Sequence, residues 1–207
     1  MFSLTVFLWD TVFLYPLKIF VVLLHEISHG VAAVLTGGEI VKIEINYNQS
    51  GVCYTRGGIR MIVLSAGYLG SMLWGGLILI LAARTKYDRT ISIVIGIIVG
   101  IITVFYIRNL YGIIFSLAFC AFMISLGKLM PMKVNDIVLK FIGITSSGYA
   151  IIDIKDDLIS RTVVGSDAYQ MAEIIPLPSV VWGIIWIIIS IFAILYCLKI
   201  SAKGERG

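Results

Sequence analysis

The sequence predicts an all-α polytopic membrane protein with about six transmembrane helices and a short β-hairpin after the first. Three observations carry that expectation. Of 207 residues, 59% are hydrophobic and only 14% charged, and the mean hydropathy is +1.02. A water-soluble domain is about 45–50% apolar with about a quarter of its residues charged. A chain this apolar cannot hide its excess inside a water-soluble sphere, so a bilayer is its natural solvent. The apolar residues also gather into blocks close to the roughly 20 residues that a helix needs to cross hydrocarbon. One polar interruption between the first two blocks instead alternates with the period of a strand.

The first block runs from about Pro16 to Leu35, with Pro16 suited to a first helical turn. Residues Phe2 to Tyr15 ahead of it are apolar apart from Asp10 and too short to span, and read as an interfacial helix or a lead-in. The N-terminus lacks the basic region and small-residue cleavage site of a signal peptide, so an internal helix serves as the insertion signal. After Gly37-Gly38, residues Ile40 to Tyr47 alternate in polarity, although Ile40 blurs the pattern. Asn48-Gln49-Ser50-Gly51 supplies turn residues and Val52 to Thr55 returns, which together predict the hairpin.

The second block spans Met61 to Ala83, the third Ile91 to Ile107 and the fourth Leu110 to Leu126. The third and fourth meet at Arg108-Asn109, so they form an antiparallel pair with a very short turn. The fifth block begins near Ile137 and runs at least to Ile152, and the sixth spans Val180 to Leu198. Arg84, Lys86 and Arg89, then Lys128 and Lys133, then Lys199, Lys203 and Arg206 fall on one face of such a bundle. Basic loops face the cytoplasm, so both termini are expected there. The net charge of +4, without a dense basic patch interleaved with aromatics, excludes a nucleic-acid partner. Cys53, Cys120 and Cys197 are scattered and offer neither a disulfide framework nor paired metal spacing.

The residues that carry chemistry are His25-Glu26-Ile27-Ser28-His29, in the middle of the first apolar helix. Histidines four apart share one helix face, so both imidazoles reach one metal ion. The glutamate beside the first is placed to take a proton from water at that metal. These are the only two histidines in the chain. Ionisable side chains at bilayer depth cost about 2.5–3.5 kcal/mol each on insertion scales, and a bound cation offsets that cost.

A third protein ligand is required if water takes the fourth place on zinc. With no third histidine and no well-placed cysteine, it is expected to be a carboxylate. Asp153, which ends the apolar run TSSGYAII, is the first candidate and Asp157 the second. Asp167, in Gly165-Ser166-Asp167-Ala168, reads as the cap of a following helix. Small residues in Ala66-Gly67-Tyr68-Leu69-Gly70-Ser71 permit close packing against the histidine helix. Asn109 is placed either to donate to a developing oxyanion or simply to end a helix.

On LHEISHGVAAVLTGGEI, the hairpin, AGYLGS and IIDIKDDLISRTVVGSDA, the chain resembles the site-2 protease family of intramembrane zinc metalloproteases, and most closely its compact B-like branch. The resemblance covers most of the chain and implies one membrane-embedded domain over 1–207. Within it, 15–36 would be the metal-binding helix, 39–58 the hairpin and 60–200 the remaining helices. It implies Zn2+ on His25, His29 and a downstream aspartate, with Glu26 as the catalytic base. It also implies a transmembrane protein substrate whose unwound segment pairs with the edge strand, through Ile43 and Ile45. The family's Asp-Gly pair after Leu or Asn-Pro is absent here, and AGYLGS stands where an Ala-Gly-Pro type motif is usual. Two other readings use the same polar cluster: a non-catalytic membrane scaffold, and a transporter. The remaining helices supply few intramembrane charges to continue a transport path, and no inverted repeat is evident.

Overall fold

The computed structural model describes residues 11, 14–155 and 165–202. Among them, six helices are long and apolar enough to cross a membrane. They are α1 (Tyr15–Leu35), α2 (Arg60–Arg84), α3 (Asp88–Tyr106), α4 (Leu110–Leu129), α5 (Met132–Lys155) and α7 (Ser179–Ala202). A hairpin of β1 (Glu39–Ile45) and β2 (Gly51–Arg56) separates α1 from α2, and a short helix α6 (Asp167–Ile174) precedes α7. The chain is a multi-pass integral membrane protein.

The α1 helix is the axis of the bundle. Its apolar window is 78% buried, against 17% for α7, whose apolar surface is left for lipid. Pro16 stands in the first turn of α1, where its missing N–H costs no helical bond. At the other end Gly38 N–H reaches the Ala33 carbonyl at 2.8 Å and Gly37 N–H the Val34 carbonyl at 3.2 Å. Gly37, at φ 87°, supplies the left-handed residue that this helix ending needs. The chain is thereby turned back along α1 as β1.

The strands pair antiparallel, with Ile43 opposite Cys53 and Ile45 opposite Gly51. A bulge between Ile40 and Lys42 shifts the register, and this is the place where the sequence alternation is blurred. Ile43 and Ile45 are fully buried.

The α2 helix packs on α1, α5 and α7. Its glycines set the distances: a Cβ at Gly70 would meet Cβ of Ser28 on α1 at 2.5 Å, and one at Gly75 would meet Cβ of Ser146 on α5 at 2.8 Å. The small residues of AGYLGS therefore serve the close approach to the histidine helix that their spacing predicts.

The α3–α4 turn holds only Ile107, Arg108 and Asn109. Arg108 donates from its guanidinium to the carbonyls of Val104, Phe105 and Ile107, closing the end of α3. The α5 helix starts at Met132, earlier than the apolar pattern indicates. Buried Asn135 explains the difference, since its amide donates to the Leu126 carbonyl at 3.0 Å and the Pro131 carbonyl at 3.2 Å. A polar first turn is thus consumed inside the bundle, tying α5 to the end of α4. Arg89 Nε donates to the Met130 carbonyl at 3.1 Å, so the basic α2–α3 and α4–α5 connections lie together at one end.

Candidate metal centre

His25, Glu26 and His29 lie mid-way along α1, with Glu26 5% and His29 7% exposed. Nε2 of His25 lies 3.0 Å from Oδ2 of Asp167, and Nε2 of His29 lies 3.2 Å from the same oxygen. One ligand atom from each of the three residues falls within 4.8 Å of the others. Donors bound at 2.0–2.1 Å in a tetrahedral zinc site stand about 3.3 Å apart. The two measured edges match that spacing, and two imidazoles with one carboxylate form a donor set suited to zinc with one position left open.

The surroundings fix the rings. Nδ1 of His29 sits 2.7 Å from the Val63 carbonyl, an arrangement that only an Nδ1–H donor satisfies. Nε2 is then left as a lone pair facing Asp167, which is the tautomer a metal ligand needs. Tyr68 packs edge-on against His25, with ring centroids 4.9 Å apart, and Trp186 backs Tyr68 at 5.3 Å. Gly67 leaves the room the imidazoles occupy: a Cβ there would meet Cε1 of both His25 and His29 at 2.6 Å.

Asp167 was the acid that the sequence assigned to capping. The cap is made instead by Ser166, whose hydroxyl accepts from Tyr169 N–H at 3.3 Å. The neighbouring carboxylate is therefore free of the capping duty and turns to the histidines. Gln170 holds the start of α6 by donating to the Gly165 carbonyl at 2.9 Å, and it accepts from Arg60 of α2 at 3.2 Å. Asp153, the first candidate from sequence, approaches His25 from the other ring nitrogen, 3.9 Å from Nδ1, and is not one of the three converging donors. It sits in the last turn of α5, behind the ring, whereas α6 faces both Nε2 atoms. Asp157 lies outside the described residues.

The hairpin places Ile43, Ile45 and Asn109 together at one strand edge. The outer edge of β1 is already paired. Ile43 bridges to Ile107 and its carbonyl accepts from Arg108 N–H at 3.1 Å. Asn109 accepts from Ile45 N–H at 3.0 Å and donates to the Ile45 carbonyl at 2.6 Å, so its amide acts as one more rung of the sheet. Ile43 and Ile45 are core residues, and Asn109 is a clamp on β1. The carbonyl and one N–H of the Asn109 amide are engaged with the Ile45 backbone.

The strand that borders the metal centre is β2. Its residues Gly51 to Thr55 line a cleft of about 1010 Å³ together with His25, Glu26, His29, Asp153 and Asp167. The backbone of Cys53 hydrogen-bonds the Glu26 carboxylate, which places its N–H on the edge facing the centre. Gly51 allows the contact, since a Cβ there would meet Oε1 of Glu26 at 2.7 Å. Burial, reinforced by the Glu26 carboxylate, pushes the Cys53 thiol up to about 12, so this cysteine stays a neutral thiol.

No curated protein and no solved structure matches the chain. A family model described as Peptidase M50B-like matches residues 1–197. That match runs nearly the whole length of the chain and includes the histidine helix, the hairpin and Asp167. With two histidines spaced as in HExxH, an adjacent glutamate and a converging aspartate inside a membrane bundle, the chain belongs to the Peptidase M50B-like family of metalloproteases.

Proposed function

We propose that this protein hydrolyses peptide bonds of membrane-embedded protein segments, with zinc held by His25, His29 and Asp167 and with Glu26 as the proton carrier. The observation that carries the reading is the convergence of three ligand atoms of the right chemistry beside a buried glutamate. Bound there, zinc supplies Lewis-acid polarisation of a carbonyl and acidifies water.

The protein's own groups account for the rest. Glu26 lies beside the first ligand and under the β2 edge, where its carboxylate takes a proton from the attacking water and returns it to the leaving amine. The Cys53 N–H orients that carboxylate. The open edge of β2 offers backbone partners to an extended substrate, because the corresponding edge of β1 is closed by Asn109. A helical substrate must unwind to present its carbonyls to that edge. The end of the bundle bearing Arg84, Lys86, Arg89, Lys128 and Lys133 is the cytoplasmic one in this reading.

Chelation tests the proposal. Detergent-purified protein stripped of metal is expected to stop cleaving a quenched fluorescent transmembrane peptide, to recover with zinc and not to recover with magnesium. Cleavage that persists in metal-free protein would overturn it.

A further inference from the structure

We propose that Val52 and Tyr54, on the outer face of β2, form a two-position side-chain subsite that selects substrates with β-branched or aromatic residues two apart, flanking the residue that faces Glu26. The inference rests on the protease reading above and deepens it, by assigning the side chains that read a strand added to β2.

The register of the hairpin decides which groups meet that strand. Successive residues of an antiparallel strand turn their N–H and C=O groups to opposite sides. Ile45 turns both groups to Asn109, and Ile43 turns its carbonyl to Arg108, so the two face away from β2. Their partners Gly51 and Cys53 are therefore the β2 residues whose backbone groups face away from β1. The Glu26 carboxylate meets the Cys53 backbone on that side, which agrees with the register. Val52 and Tyr54, opposite Glu44 and Lys42, turn their backbone groups to β1 instead.

Side chains alternate between the two faces of a strand. Cys53 points to the α1 side, where a Cβ on Gly30 would meet its Sγ at 3.5 Å. Val52 and Tyr54 stand on the opposite face, 43% and 42% exposed, and both line the cleft that holds the metal centre. A strand added to β2 in either direction places alternate side chains beside them. The residue between those two lies opposite Cys53, where Glu26 reaches the edge. The two selected positions thus flank the site of chemistry.

The charges of this face are paired within the hairpin. Lys42 Nζ lies 2.7 Å from Oε1 of Glu44 and 4.3 Å from the centroid of the Tyr54 ring. Arg56 lies 3.0 Å from Glu39. Lys42 holds the Tyr54 ring from the β1 side, and the rest of the ring is left to the side of the added strand. What Val52 and Tyr54 offer there is apolar contact, and β-branched and aromatic residues make the best cross-strand neighbours for such a pair.

Binding without turnover tests the subsite. Zinc-loaded Glu26→Gln protein in detergent would be titrated with fluorescein-labelled Ser/Ala peptides that carry two isoleucines two positions apart, two adjacent isoleucines, or none. The spaced pair is expected to bind about 10-fold more tightly than either control, from about 3-fold at each position. Adjacent residues point to opposite faces, so the spacing separates this subsite from general hydrophobic binding. The preference should disappear in the Val52→Ser/Tyr54→Ser double variant and persist in Tyr54→Phe. Equal binding of the spaced and adjacent pairs would overturn the proposal, and that comparison needs no change to the strand. So would a preference that survives the double substitution, or a loss equal for all three peptides with zinc content unchanged, which would assign this face to holding the hairpin. Cleavage of the spaced peptide by zinc-loaded wild type reports separately on the protease reading. Spacing-dependent binding with no cleavage would contradict that reading and leave the subsite standing.

Discussion

Glu26→Gln is expected to lower peptide hydrolysis by about 1,000-fold while leaving zinc content and fold intact. General acid–base catalysis by one positioned group contributes about 100- to 10,000-fold, and Glu26 is assigned both the abstraction and the return of the proton. Glutamine has the same shape, and its carbonyl still accepts from the Cys53 backbone where the carboxylate does now. It also fits against Gly51, where the present side chain already leaves no room for a Cβ. The variant thus separates chemistry from assembly. Initial rates on a transmembrane peptide, with zinc per chain measured on the same preparation, check it. A variant that keeps both its zinc and its rate would remove Glu26 from the mechanism.

The second large effect is expected from a methyl group placed where there is now none. Gly67→Ala puts a Cβ at 2.6 Å from Cε1 of both His25 and His29. The rings cannot retreat easily, because His29 is held by the Val63 carbonyl and His25 is backed by Tyr68. Overpacking of this kind costs about 1–3 kcal/mol, and misorienting ligands lowers metal affinity by about 10- to 100-fold. Gly70→Ala is the control. Its Cβ would press on Ser28, whose hydroxyl donates to the Leu24 carbonyl and which is outside the His25, His29 and Asp167 ligand group among the described residues. Both variants should melt earlier, but only Gly67→Ala should lose zinc in competition with a chelating dye. Equal zinc affinity in the two would show that Gly67 does not shape the ligand geometry.

The bundle was legible in the sequence because spanning helices write themselves as apolar blocks, and each of the six blocks corresponds to a helix. The ends were less legible. Asn135 looks like a polar lead-in to α5 by its letter, yet it is fully buried because it satisfies carbonyls at the end of α4. The histidines and Glu26 declared themselves through helical spacing, which is local. The third ligand did not, because it arrives from a separate helix 138 residues beyond His29 and spacing says nothing across such a gap. One local signal did exist. Ser166 precedes Asp167, and a serine able to cap α6 releases the aspartate for another role. The occupancy of the strand edge is not written locally for a related reason. The alternation of Ile43 and Ile45 reveals a buried face but not which strand edge is occupied. That depends on Asn109, which comes 64 residues after Ile45.

The central claim is that His25, His29 and Asp167 together hold zinc, and metal content tests it most directly. Purified wild type, Asp167→Ala and Asp153→Ala would be compared by elemental analysis after equal exposure to zinc. About one zinc per chain in wild type and in Asp153→Ala, with loss in Asp167→Ala, is the predicted result. Retention in Asp167→Ala with loss in Asp153→Ala would contradict the assignment, and a well-folded wild type without zinc would contradict the metal centre itself.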